Sequence, residues 1–235
     1  MSALRSAALR GARDAAPFVL VIVPFALLFG VLATEAGLNV FEVMSFSILV
    51  IAGAAQFTAL QLLQDNAPTV IVLATSLAVN LRLAMYSVAL TPHLGAARLW
   101  QRALMSYVLT DQSFTTAAAE YDRRPAAPLA EKVAYFFGTA APICPLWYGA
   151  TFAGATLGTA IPPEFALDFA VPITFLAMVA PALRSLAHVV AALTSVTVVL
   201  LLAWVPYSGG LLIAALAALV VGAQVELWMG RRQWS

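Results

Sequence analysis

The chain has 235 residues, 63% of them hydrophobic and only 10% charged, with a mean hydropathy of +0.93 and a net charge of +1. A soluble domain is about half apolar and about a quarter charged, and a water-soluble globule of the present composition would expose large apolar patches. This excludes a soluble enzyme, a disordered tail, a collagen-like fibre and a basic nucleic-acid binder, and predicts an all-α, polytopic transmembrane helix bundle in a lipid bilayer. Cys144 stands alone, so no internal disulfide forms, and His93 and His188 without a Cys/His cluster give no readable metal or cofactor site.

Crossing a hydrocarbon core takes about 20 mostly apolar residues. Eight segments meet that need: 17–36, 40–63, 68–91, 99–119, 133–160, 166–183, 186–205 and 210–229. None alternates in polarity as barrel strands do. The first follows Arg5, Arg10 and Arg13 and has the outline of a signal peptide, but the next segments are equally apolar, so it is read as a retained helix. If the N-terminus is cytoplasmic and every segment crosses, both termini are cytoplasmic. Arg5, Arg10, Arg13, Arg123, Arg124, Lys132, Arg184, Arg231 and Arg232 then lie inside. Arg98 and Arg102 fall outside, which marks 40–63, 68–91 or 99–119 as broken or re-entrant and leaves about seven to eight segments in all. The charged loop from Glu120 to Lys132 divides a single integral membrane transport domain, 1–235, into halves 1–125 and 126–235. Gly30 and Gly37 before Phe41-Glu42 echo Gly154 and Gly158 before Glu164-Phe165, the trace of an internal repeat. Trp100, Trp204, Tyr207, Trp228 and Trp234 sit near segment ends, as interface anchors do.

Polar groups inside a bilayer are costly and need a partner or a wet cavity. Gln56 follows Ala52-Gly53-Ala54-Ala55 within the second segment, and Asn80 and Arg82 lie mid-way along the third. Asp111 stands near the start of the polar run Thr110 to Thr116 in the fourth. Asp168, Arg184 and His188 lie nearer to segment ends. Residues two apart on a helix face different ways, so Asn80 and Arg82 either serve different neighbours or flank an interruption. The run from Thr110 is too polar to face lipid and predicts a helix break or a water-lined cavity. Two readings stay open for Arg82 and Asp111: a structural ion pair, or groups that handle substrate and protons. For Gln56 and Asn80 the structural alternative is interhelical hydrogen bonding, and for His93 and His188 an end-of-helix or loop position. Pro24, Pro142, Pro145 and Pro172 predict kinks. The spacings Ala150, Gly154, Gly158 and Ala214, Ala218, Gly222 predict close helix packing. Enzyme readings have little support: Ser208 has no His near it in sequence, no H-E-x-x-H motif is present, and no P-loop exists to bind ATP.

Phe29-Gly30, Met44-Ser45, Ala52-Gly53-Ala54-Ala55-Gln56-Phe57, Asn80-Leu81-Arg82, Met85-Tyr86-Ser87 with Leu90, and Thr110-Asp111-Gln112-Ser113-Phe114 run through the first half. With Trp147, Gly154, Gly158 and Leu167-Asp168-Phe169, they resemble the AzlC family of branched-chain amino acid permeases along nearly the whole chain. The family usually carries His where this chain has Leu83, and often Glu where it has Gln112. The resemblance implies a secondary transporter that exports branched-chain, neutral amino acids such as L-valine across the bacterial inner membrane, without cofactor or ATPase subunit. It also implies a small hydrophobic membrane partner of the AzlD type. Gly53, Gln56, Asn80, Arg82 and Asp111 are then the expected substrate-binding residues, with Arg82 for the carboxylate and Asp111 for the ammonium and for proton coupling. The alternatives are a non-transporting scaffold subunit of a membrane complex and an intramembrane enzyme.

Overall fold

The computed structural model describes residues 3–157, 183, 185–205 and 209–232, and no strand occurs among them. The helices are α1 (Ala3–Ala15), α2 (Val19–Glu35), α3 (Val40–Leu49), α4 (Gly53–Gln64), α5 (Thr69–Leu94), α6 (Leu99–Tyr107), α7 (Asp111–Arg123), α8 (Leu129–Leu157), α9 (Leu186–Leu201) and α10 (Gly209–Arg232). By length and composition, Ala3–Glu35, Thr69–Leu94 and Gly209–Met229 can each cross a membrane, and Val40–Leu49 and Leu186–Leu201 are shorter apolar helices. The chain is an all-α membrane bundle, as its composition predicts. Predicted features at Gly158, Glu164, Phe165, residues 167–169, Pro172, Arg184, Tyr207, Ser208 and Trp234, and residues 166–182 of the sixth segment, lie outside the described residues.

Two compact units form, Met1–Leu60 with Val79–Phe165, and Gln61–Ala78 with Ala166–Ser235. In the second, Ser185 caps α9 by accepting from the His188 amide at 3.2 Å. Gly222 of α10 faces Ala191 of α9: a Cβ at Gly222 would lie 3.1 Å from the Ala191 Cβ. The predicted small-residue stripe of the last segment is therefore a packing face.

The first unit is built along α8. The helix at the N-terminus starts well before residue 17, at Ala3, and only a 3-10 turn at Ala16–Phe18 separates α1 from α2. Every fourth residue of α1, Ala7, Gly11 and Ala15, is buried, so the apolar stripe that predicts a helix was present before the long hydrophobic run begins. A Cβ at Gly11 would overlap the Tyr135 carbonyl, and one at Gly138 the Ala8 carbonyl. Further along, Gly30 meets Thr151 and Gly154 meets Leu27 in the same way. Two reciprocal glycine pairs thus bring the backbones of α1–α2 and α8 together. Both numbers rise along the contact, so these helices run parallel.

The two predicted segments 40–63 and 99–119 do not run through. In the first, α3 comes back from the end where α2 finishes, and its Ser47 donates to Thr151 of α8 at 3.4 Å. Residues 50–52 leave the helix, and α4 then runs alongside α2, with Gly53 against Phe25 and Phe57 against Phe29, ring centroids 5.5 Å apart. So α4 returns toward the end from which α3 came. In the second, α7 runs parallel to the last half of α5: Arg82 meets Asp111, Tyr86 stacks on Phe114 at 4.1 Å, and His93 lies 5.2 Å from Tyr121. Since α6 starts just after α5 ends, it must run inward before α7 runs out. The result is two helical hairpins that enter the first unit from opposite ends, with tips at 50–52 and 108–110.

This corrects the reading in which every segment crosses and Arg98 and Arg102 fall opposite the charged loop. They lie at the end that carries His93, Tyr121 and Lys132. Arg10 of α1, paired with Glu120 at 3.7 Å, and Asp14, which accepts from Tyr135 at 2.6 Å, belong to the same end. The third segment is a regular helix through Asn80 and Arg82, without interruption.

Candidate functional site at the two hairpin tips

Non-helical backbone at membrane depth persists only where protein or water satisfies it, because each free N–H or C=O in hydrocarbon costs several kcal/mol. Both tips meet that demand. Gln56, fully buried, donates through Nε2 to the carbonyls of Val50 at 2.7 Å and Phe46 at 3.3 Å and to Ser47 Oγ at 3.3 Å. One side-chain amide thereby closes the break between α3 and α4. The second tip is a capping box: Thr110 Oγ1 accepts from the Ser113 amide at 3.2 Å, and Ser113 Oγ accepts from the Thr110 amide at 2.8 Å. The tips touch through Tyr107, whose hydroxyl donates to the Ile48 carbonyl at 2.7 Å and lies 2.9 Å from the Tyr148 hydroxyl.

Asp111 is the first residue of α7, where the helix dipole favours a negative charge. Its Oδ2 lies 3.2 Å from Arg82 Nη1, and its Oδ1 accepts from the Tyr86 hydroxyl at 3.0 Å. Arg82 and Tyr86 are one turn apart on α5, so one helix face holds both carboxylate oxygens. The pair is half-buried, with side-chain exposures of 31% for Arg82 and 29% for Asp111. At the other tip Gly53 opens α4 against the Phe25 and Trp147 rings; a Cβ there would overlap Phe25 and lie 2.9 Å from Trp147.

Of the five expected site residues, then, Arg82 and Asp111 come together as an ion pair, and Gly53 and Gln56 share the first turn of α4. Asn80 sits two residues from Arg82 on a continuous helix and so addresses another face. Among the described residues no hydrogen bond or ion pair joins Gln56 or Asn80 to Arg82 and Asp111. Four polar atoms here are buried without a protein partner: the acceptors Gln56 Oε1 and Asn80 Oδ1, and the donors Arg82 Nε and Trp147 Nε1. Native interiors leave few such atoms. Sequence reasoning gave no role to Tyr86, Tyr107 or Ser47. Tyr86 was findable, since it lies four residues from Arg82; Tyr107 was not, because its partner is 59 residues away. His93 stands in the last turn of α5, and Leu83 contributes its carbonyl to the Ser87 hydroxyl at 3.0 Å.

A family model described as AzlC protein matches residues 17–161, more than half of the chain and all five of these positions. The chain belongs to the AzlC family. This is a family of membrane proteins. Within it, the chain is 31% identical over 121 residues to the inner membrane protein YgaZ of Escherichia coli, a match covering 49% of this chain and 47% of that protein. It therefore spans about half the length of that relative. An uncharacterized membrane protein of Archaeoglobus fulgidus is 29% identical over 188 residues, 78% of this chain and 79% of its own length. No solved structure matches the chain.

Proposed function

We propose that this AzlC-family protein is the large subunit of a secondary transporter that exports branched-chain, neutral amino acids such as L-valine across the bacterial inner membrane. The observation that carries the reading is the Arg82–Asp111 pair at a hairpin tip. A zwitterion entering between the two side chains offers a carboxylate to Arg82 and an ammonium to Asp111, so the pair opens without leaving an unpaired charge in the membrane. Gln56 Oε1, buried without a protein partner at the neighbouring tip, supplies a further acceptor, whereas Asn80 Oδ1 lies on another face of α5 and is left out of this contact; an apolar wall selects Val, Leu and Ile with modest discrimination per methylene. Gly53 keeps the start of α4 close to Phe25 and Trp147. Interrupted helices near the midplane, with helix termini toward substrate charges, are the sites transporters use.

Asp111 also serves as the proton-coupling group, released from Arg82 and protonated as the site changes sides. The end bearing Arg5, Arg10, Arg13, Arg98, Arg102, Arg123, Arg124 and Lys132 faces the cytoplasm, because positive loops stay inside. A small hydrophobic AzlD-type subunit completes the carrier, with no ATPase and no catalytic activity. Efflux of labelled valine from cells expressing this chain with and without that subunit tests the proposal; equal, background efflux in both would reject it. A second reading, a scaffold subunit in which the pair is structural, is favoured by the closed 3.2 Å contact. Rescue of an Asp111→Asn folding defect by Arg82→Gln would support it.

A further inference from the structure

The second hairpin carries a cavity that the transport site does not use. It measures about 110 Å³ and lies between the last turns of α5 and the length of α6, over Phe136 of α8. Leu94, Met105, Leu109 and Phe136 make its floor, Ser106 and Arg102 line it on the α6 side, and no Asp or Glu reaches it. The guanidinium of Arg102 has no ion pair among the described residues, and Arg98 lies one turn before it. The outer face of α6 is apolar: Leu99 is 79% exposed, Trp100 56% and Leu104 47%.

We propose that this cavity is a binding site for an anionic phospholipid, with the phosphate on Arg102 and Arg98 and the first methylenes of an acyl chain over Leu94, Met105 and Phe136. The chemistry disfavours a zwitterion here: Ser87, Thr91 and Ser106 offer hydroxyls, but no carboxylate lines the cavity to pair with an ammonium. Charge complementarity selects an anionic headgroup, and the volume admits the first part of an acyl chain; basic pockets between membrane helices at the positive end hold such lipids. Trp100 stands at the interface level where a headgroup lies. The site explains why two Arg residues open a hairpin that goes only part of the way into the bilayer: a bound lipid neutralises them and fills the wedge between α5 and α6.

The test is native mass spectrometry of the purified full chain, titrated with phosphatidylglycerol or phosphatidylcholine of the same acyl chains. Wild type should retain phosphatidylglycerol in preference. Arg102→Gln, on an exposed side chain, should lower that preference roughly fivefold. Ser106→Trp, which fills the cavity mouth, should lower retention of the lipid, whereas Arg13→Gln should change nothing. An unchanged preference in Arg102→Gln, or equal retention of the two lipids by wild type, overturns the site. Displacement of phosphatidylglycerol by glycerol phosphate at matched concentration would also overturn it, as a site for small anions.

Discussion

Arg82 and Tyr86 hold the two oxygens of Asp111 from one face of α5, and this arrangement distinguishes between cation types. A guanidinium is a planar fork that can grip a substrate carboxylate with two parallel bonds, whereas an ammonium is a point charge. Arg82→Lys is therefore expected to reach the membrane at wild-type levels and to lose most labelled-valine efflux. Normal efflux from that variant would leave Arg82 a structural charge. Gln56 answers a different question. Its amide donates to two carbonyls and a hydroxyl; the Phe46 carbonyl keeps the Val50 amide and Ser47 keeps Thr151, so Gln56→Leu strands the Val50 carbonyl, at about 1–3 kcal/mol. The expected result is a clear fall in thermal midpoint in detergent, with Gln64→Leu, an exposed site, as the neutral comparison. An unchanged midpoint would mean that the α3–α4 break is held by something else.

Among the helices, the parallel contact of α1–α2 with α8 depends on the absence of side-chain atoms. Gly154→Leu forces a side chain into the Leu27 carbonyl and should cost about 1–3 kcal/mol or more, seen as lost protein in the membrane fraction. At Gly149, where nothing lies within 4 Å, the same change should be tolerated. Gly154 was legible in the sequence from its small-residue spacing, as was the polar run that begins at the 108–110 break. Re-entry was legible only as a warning from Arg98 and Arg102. A hydropathy pattern measures apolar length, and one apolar stretch can cross once or fold back on itself. The bonds that decide between these, Gln56 to Phe46 and Tyr107 to Ile48, join residues in a way that no local pattern encodes. The ion pair was legible because charges are rare in such a chain. The closeness of Gly11 to Gly138 was not, since each glycine alone is ordinary.

For the molecule as a whole, two hairpins entering from opposite ends make a definite topology. Single cysteines in place of Arg98 and Arg124, in a background with buried Cys144 replaced by Ser, should label from the same side of the membrane, and one at Gly37 from the other. Labelling of position 98 from the side opposite to 124 would mean that 99–119 crosses, and the hairpin arrangement would fail. That arrangement gathers the two helix breaks and the Arg82–Asp111 pair at one depth, where a carrier can expose them to either side in turn. The claim that this pair is the working site, with Asp111 the proton-carrying group, is met most directly by Asp111→Asn in proteoliposomes holding this chain and the proposed small subunit. Proton-driven efflux of labelled valine should vanish while exchange of valine for valine persists. Efflux by Asp111→Asn that still collapses on addition of a protonophore would place the proton site elsewhere and contradict the account.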